Sequence, residues 1–131
     1  RNRTVVVTAE QLGGSDFTLV DLKDCTVFLL GRMSALRCHR LTRCRLFSGP
    51  VTGSSFLDAV HDSLLHLPSH QVRIHSTHDT DFYLRVRSNP IIEHSSALRF
   101  APCTFEAWPC SQQLLSDAGL TADDNAVVEK W

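Results

Sequence analysis

The chain has 131 residues, of which 43% are hydrophobic, and its formal net charge at pH 7 is −1. This length suits one domain with one sizeable core, and the near-neutral charge disfavours general nucleic-acid binding. No apolar run approaches the roughly 18 residues of a membrane-spanning helix, so we predict no membrane span.

The N-terminus and the cysteines indicate the cellular setting. The chain opens on Arg1 and not on Met, which favours a domain excised from a longer protein, and residues 1–4 lack the apolar core of a secretory signal. An odd number of cysteines without a C-x-x-C pair disfavours structural zinc and a full disulfide framework. We therefore predict reduced thiols and a cytoplasmic, cytoskeleton-associated protein. The cysteines are Cys25, Cys38, Cys44, Cys103 and Cys110.

A repeat with a period of 19 residues organises the first half of the chain. Each copy holds an apolar residue, then a small residue three positions later, then a second apolar residue. The turn residues Gly31, Pro50 and Ser69 keep the same spacing. A fixed period near 20 residues is typical of a solenoid, in which each coil stacks on its neighbours. The copies are Leu22-x-x-Cys25-x-Val27, Leu41-x-x-Cys44-x-Leu46 and Val60-x-x-Ser63-x-Leu65.

Between the turns, apolar residues alternate with polar ones, which is the period of a strand. We predict an all-β, right-handed parallel β-helix over residues 1–105, with Cys25, Cys44 and Ser63 stacked in its core. An antiparallel sandwich is the alternative, although hairpins do not require a register kept over three units. The alternating positions, in chain order, are Val27 and Leu29, Leu36 and Cys38, Phe56, Val72 and Ile74, Phe82, Leu84 and Val86, and Leu98 and Phe100.

The repeat stops before residues 106–131. Residues 112–118 are compatible with a short helix that ends at Gly119. We predict a short, partly helical C-terminal tail that caps the last coil, because solenoids need covered ends.

One stretch is strongly basic. It is either a solvated face or a docking surface for an acidic partner, since complementary charge speeds association. Its residues are Arg32, Arg37, His39, Arg40, Arg43 and Arg45.

Arg73 is the main candidate for chemistry. Because Val72 and Ile74 face the predicted core, alternation directs Arg73 outward. A coil lengthened by one residue would place Arg73 beside Glu93, whose carboxylate would hold the guanidinium in one orientation. Such an arginine is either a solvated surface residue or an arginine finger, which enters the nucleotide site of another protein and stabilises charge during hydrolysis.

Other constellations do not converge. His61-Asp62-Ser63 contains the residue types of a catalytic triad, but consecutive strand residues point to opposite faces. His75-x-x-His78 offers two metal ligands without a third, and residues 49–55 lack the Gly-Lys-Ser/Thr of a phosphate-binding loop. We predict no cofactor and no metal.

Several blocks of the sequence resemble the C-terminal domain of the tubulin-binding cofactor C family, over roughly residues 15–105. The resemblance implies a right-handed β-helix that stimulates GTP hydrolysis by β-tubulin, acting with cofactors D and E. It also implies an N-terminal helical region outside this chain. The blocks are Leu22-x-Asp24-Cys25-x-Val27, Gly49-Pro50-Val51-x-Gly53-Ser54, Gln71-Val72-Arg73-Ile74-His75, Thr80-Asp81-Phe82-Tyr83-Leu84, Ser88-x-Pro90-Ile91-Ile92-Glu93 and Phe100-Ala101-Pro102.

The resemblance assigns roles to individual residues. It makes Arg73 the finger, Gln71 its polar partner and Glu93 the carboxylate that orients it. Family members often carry two Gln before the apolar residue that precedes this Arg, and here His70 replaces the first of them. We expect the partner-binding surface to include His70, His75, Arg85 and Arg87.

Three other functions remain open at this point. The resemblance extends to the retinitis pigmentosa protein, which implies an Arf-like GTPase as an alternative partner. A non-catalytic scaffold for cytoskeletal monomers, like the β-helical domain of the cyclase-associated proteins, would tolerate loss of Arg73. A carbohydrate-active β-helix would need paired carboxylates on one face, and Asp58 and Asp62 are the nearest approach to such a pair.

Overall fold

The computed structural model of the chain describes residues 3–102. These residues form ten strands and one short helix, and no helix among them is long and apolar enough to cross a membrane. In chain order the elements are β1 (Arg3–Thr8), α1 (Ala9–Leu12), β2 (Asp16–Lys23), β3 (Cys25–Leu30), β4 (Ala35–Thr42), β5 (Arg45–Phe47), β6 (Val51–His61), β7 (Leu64–His75), β8 (His78–Arg85), β9 (Ile91–Glu93) and β10 (Ser96–Pro102).

All of the described strand pairs are parallel, and the strands stack into a β-solenoid of about five coils. One face, the first face, is formed by β2, β4, β6, the second half of β7, and β9. A second face is formed by β1, β3, β5, the first half of β7, β8 and β10. The predicted β-helix is therefore confirmed, and the antiparallel sandwich is excluded. The predicted capping tail, residues 106–131, lies outside the described residues.

The period of the solenoid changes along the chain. Cys38 pairs with Leu57, which keeps the predicted offset of 19 residues. Leu57 then pairs with Ile74, an offset of 17, and Ile74 pairs with Ile92, an offset of 18. The later coils are shorter because the chain between stacked positions loses one or two residues, so a constant period holds only for the first coils.

The core is a set of stacked rows of inward side chains. Cys25, Cys44 and Ser63 are all buried, and the hydroxyl of Ser63 accepts a hydrogen bond from the backbone N–H of Cys44, with an N–O distance of 3.1 Å. The predicted ladder of small residues is thus confirmed. Burial raises the pKa of the Cys38 thiol to about 12, so this cysteine stays protonated and packs as an apolar residue.

Two corners of each coil are built from residues in the left-handed backbone conformation. All ten described non-glycine residues with positive φ belong to these two corner ladders. Non-glycine residues pay a steric cost of about 1–2 kcal/mol in this region, so the stacking of neighbouring coils must hold them there. The first ladder is Asp21, Arg40, Ala59, Ser76 and His94, and the second is Asp24, Arg43, Asp62, Asp79 and Ala97.

A third corner requires glycine for lack of space. A Cβ atom added to Gly49 would lie 2.0 Å from the backbone oxygen of Gly31, one coil earlier. A Cβ atom added to Gly31 would in turn lie 2.6 Å from Cα of Ala9 in helix α1. Close approach of successive backbones, and not a special φ angle, therefore fixes glycine at this corner.

Candidate functional site

Arg73 lies on the outer surface of β7, in the first face. The neighbouring Val72 and Ile74 are each 1% exposed, whereas Gln71 and Arg73 are exposed and His75 is partly exposed. Strand alternation thus places the side chains of Gln71, Arg73 and His75 on one outward row, as predicted.

The predicted partner of Arg73 was wrong by two residues. In the parallel register Arg73 lies between Phe56 and Ile91, and Glu93 pairs with His75. The prediction assumed an offset of 20 residues, whereas the coil after Arg73 takes 18. Glu93 is exposed and forms no ion pair with Arg73 in residues 3–102, so its role in orienting the guanidinium stays a prediction.

Arg73 belongs to an outward column, here called the arginine column, that crosses the coils of the first face. The guanidinium carbon of Arg37 lies 5.4 Å from the ring centroid of Phe56, within the range of a cation–π contact. Sequence analysis missed this column, although Arg37 and Phe56 are separated by the 19-residue period. The column consists of Thr18, Arg37, Phe56, Arg73 and Ile91.

A second outward column, here called the imidazole column, runs beside the first. The Nδ1 atoms of His39 and His75 lie 2.8 Å and 2.9 Å from the two carboxylate oxygens of Asp58. Hydrogen bonding from His75 is the main reason that the pKa of Asp58 is lowered from its usual value. The column is Val20, His39, Asp58, His75 and Glu93, and only its last two members were predicted as site residues.

The residues that precede Arg73 extend this surface toward the third corner. The hydroxyl of Ser54 donates a hydrogen bond to Oε1 of Gln71, with an O–O distance of 3.3 Å, which anchors one end of the Gln71 amide. The backbone N–H of Arg87 donates to the carbonyl oxygen of His70 at 3.1 Å. His70 and the exposed Arg87 are therefore neighbours, as a shared surface requires.

Arg85 does not lie on that surface. Its side chain is 3% exposed, contrary to the prediction that it belongs to the partner-binding surface. Arg85 follows the buried Leu84 at the end of β8, where strict alternation would have directed it outward. The end of the strand departs from alternation, so the residue is buried and we withdraw it from the candidate site.

The basic stretch divides into two kinds of arginine. Arg40 and Arg43 form bidentate ion pairs with Asp21 and Asp24, one coil earlier, and the hydrogen bond from Arg40 lowers the pKa of Asp21. Arg37 forms no ion pair within the described part of the chain. A continuous basic docking surface is therefore wrong, because two of its five arginines are neutralised by corner aspartates.

A groove of about 730 Å³ lies away from Arg73, beside the second face. Its lining includes Arg43 and Arg99, and Arg99 is ion-paired with Asp81 at 2.7 Å. The charges of the groove largely cancel one another. The arginine column, in contrast, presents two guanidinium groups without ion-pairing carboxylates among residues 3–102.

The structure also places the other constellations considered above. Ser63 is buried and its hydroxyl donates to the carbonyl oxygen of His61 at 2.8 Å, so it has no access to a substrate. The His61 and His78 rings stack with centroids 5.4 Å apart. Over residues 3–102, no cluster of three or more His, Cys, Asp or Glu residues is arranged to hold a metal ion.

Together these features define a parallel β-solenoid that displays an arginine from the rigid outer surface of one face. Residues 14–130 match the family model described as tubulin binding cofactor C. The chain therefore belongs to the tubulin binding cofactor C family.

Curated relatives agree with this membership. The chain is 46% identical to the tubulin-folding cofactor C of Arabidopsis thaliana over 122 residues, which cover 93% of this chain and 35% of that protein. It is 38% identical to the tubulin-specific chaperone C of Mus musculus over 117 residues, or 89% of this chain and 34% of that protein. The chain spans about a third of the length of these relatives.

Proposed function

We propose that this chain is the GTPase-activating part of a tubulin-folding cofactor, which supplies Arg73 in trans to β-tubulin during assembly of the tubulin heterodimer. The observation that carries the proposal is the exposed Arg73 on a stacked strand, without an ion-pairing carboxylate in residues 3–102. The names of the relatives, which refer to tubulin folding, support the choice of partner.

The chemistry of such a finger follows from the side chain and its support. Arginine carries a planar, permanently charged fork at the end of a long side chain, which matches the oxygens of a transferring γ-phosphoryl group. Strand β7 is fixed on both sides, by β6 and β9. A rigid support reduces the loss of conformational freedom when the guanidinium enters the partner's nucleotide site.

The remaining roles follow from position. Gln71 and His75 flank Arg73 and would contact the partner or the attacking water, while His70 and Arg87 would extend the interface. Glu93 would reach Arg73 diagonally across the two strands, a separation that long side chains can bridge. Cofactors D and E would act in the same assembly, in the cytoplasm. The chain itself would not be an enzyme, because the hydrolysed nucleotide belongs to the partner.

The test is single-turnover GTP hydrolysis by tubulin in the presence of cofactors D and E. The 131-residue chain, and any longer protein that contains it, would be compared with their Arg73→Ala variants after circular dichroism has shown equal folding. We expect the stimulated rate to fall about a hundredfold or more, since an arginine finger contributes about 10³–10⁵ in rate. Arg45→Ala, which removes an exposed arginine from the second face, is the matched control and should retain stimulation.

The outcomes separate the alternatives. Equal rates for the original protein and Arg73→Ala would contradict the finger and favour a binding scaffold. Absence of stimulation by both proteins would contradict tubulin as the substrate, and the same comparison would then be made with a GTP-loaded Arf-like GTPase.

A further inference from the structure

Asp58 has a position that the proposed finger does not explain. Its two carboxylate oxygens are each taken by a different imidazole, one from the preceding coil and one from the following coil: His39 at 2.8 Å and His75 at 2.9 Å. The three side chains are between 23% and 39% exposed, so they lie at the surface but are not freely solvated.

The charge of Asp58 fixes the protons on both rings. Its pKa is lowered, chiefly by the hydrogen bond from His75, so the carboxylate is ionised at neutral pH. An ionised carboxylate can only accept hydrogen bonds, so Nδ1 of each histidine must carry a proton and donate it. In a neutral ring the other nitrogen, Nε2, is then an acceptor. Ser76 is compatible with this arrangement, because its hydroxyl lies 3.1 Å from Nδ1 of His75 and can accept from the same N–H.

The two columns are in step along the first face. His39 follows Arg37 by two residues, and His75 follows Arg73 by two residues, so each acceptor lies about 6.5 Å along its strand from an arginine. Successive coils are about 4.8 Å apart, which makes the whole surface a regular grid. One column therefore offers guanidinium donors, and the other offers imidazole acceptors.

We propose that Asp58 is a positioning residue that holds His39 and His75 as hydrogen-bond acceptors toward the GTPase partner. The partner surface that fits this face carries carboxylate or phosphate groups opposite the arginine column and hydrogen-bond donors opposite the imidazole column. The identity of the partner rests on the proposed function, whereas the state of the two rings does not.

The first experiment measures the rings directly. Two-bond ¹H–¹⁵N correlation spectra of the chain would be recorded at pH 8.5, where an ordinary imidazole is neutral. We expect both His39 and His75 to be in the Nδ1–H form. In Asp58→Asn the amide offers only one acceptor oxygen, so at least one ring should change to the Nε2–H form. If both rings are already in the Nε2–H form in the original chain, the proposal is wrong.

The second experiment separates binding from rate, with GTP-loaded tubulin heterodimer as the probe. Asp58→Asn should weaken binding about tenfold, the size expected for losing one or two hydrogen bonds, while the hydrolysis rate at saturation stays within about threefold. Arg73→Ala should show the opposite split, with the rate lost and the binding retained. Asp81→Asn, which removes an ion-paired aspartate from the second face, should change neither quantity.

A further variant guards against misfolding. His75→Asn keeps a donor near the position of Nδ1 for Asp58 but removes the Nε2 acceptor, so it should weaken binding with little loss of stability. Binding by Asp58→Asn and His75→Asn equal to that of the original chain would overturn the proposal. Weakened binding by both variants, with no stimulation of hydrolysis by any protein, would instead overturn the proposed function and leave the acceptor surface in place. No binding of tubulin by the original chain would overturn the partner surface together with the proposed function.

Discussion

Arg37 is held over the ring of Phe56, with 5.4 Å between its guanidinium carbon and the ring centroid. Phe56 is also the register partner of Arg73 in the next coil, so one aromatic ring separates the two arginines of the column. The ring gives the first guanidinium a favourable position without neutralising its charge. Both positive charges therefore remain available to a partner.

The contact between Arg37 and Phe56 should be measurable as a coupling energy. We expect a double-mutant cycle of Arg37→Ala and Phe56→Leu to give about 0.5–1 kcal/mol in the free energy of unfolding, the usual size of an exposed cation–π contact. Urea unfolding of the four proteins measures it. The cycle of Arg99→Ala with Phe56→Leu joins different faces and should be additive; coupling of similar size there would mean that the effect is not a local contact.

Ala59 should be replaceable by glycine with a gain in stability. Its φ angle is +57°, in the left-handed region where a Cβ atom is unfavourable. Relief of this cost should exceed the entropy lost by glycine, so we expect Ala59→Gly to raise the free energy of unfolding by about 0.5–1 kcal/mol. The control is Ala35→Gly in β4, which lies outside the positive-φ set and should lower it by about the same amount. A loss of stability in Ala59→Gly would contradict this account of the corner.

Gly49 should tolerate no side chain. Because the added Cβ atom would lie 2.0 Å from the backbone oxygen of Gly31, the two coils would have to move apart. We expect Gly49→Ala to lower the free energy of unfolding by about 1–3 kcal/mol, the range for overpacking a well-packed interior. Thermal and urea unfolding would measure the loss. Thr18→Ala, at an exposed position of β2, should change stability by no more than about 0.5 kcal/mol; equal losses in the two variants would rule out crowding at the corner as the cause.

His66 should make the fold sensitive to acid. It is 4% exposed, and its ring stacks between Phe47 and Tyr83 with centroid distances of 4.9 Å and 4.4 Å. Burial lowers the pKa of His66 from its usual 6.5, so the unfolded chain binds a proton at a higher pH than the folded chain does. The stability that the neutral ring contributes is therefore complete above pH 6.5 and is lost as the pH falls below that value.

The measurement is the dependence of urea unfolding on pH between 5 and 8. His66→Phe keeps an aromatic ring in the stack and removes the titrating group, so its stability should fall less steeply below pH 6.5 than that of the original chain. The six other histidines contribute equally to both proteins in this comparison. Parallel curves for the two proteins would show that His66 does not supply the acid sensitivity.

Much of the candidate site could be predicted because strand alternation is local. The apolar Val72 and Ile74 fix the direction of Gln71, Arg73 and His75 within a single strand, whatever the neighbouring coils do. The same argument fails at Arg85, where the strand ends and the backbone no longer alternates. The columns of the first face were missed because their members come from four coils whose offsets are 19, 17 and 18 residues.

The sequence by itself determined the solenoid, the small residues in its core and the outward direction of Arg73, since these depend on periods of 2 and about 19 that are written in the order of residues. Only the tertiary structure decided which side chains meet between coils. That choice depends on the length of each corner, and the corners use left-handed residues such as Arg40 and Ala59 that carry no glycine signal. A change of two residues between coils moved Glu93 from Arg73 to His75 and brought His39 and His75 to the same carboxylate.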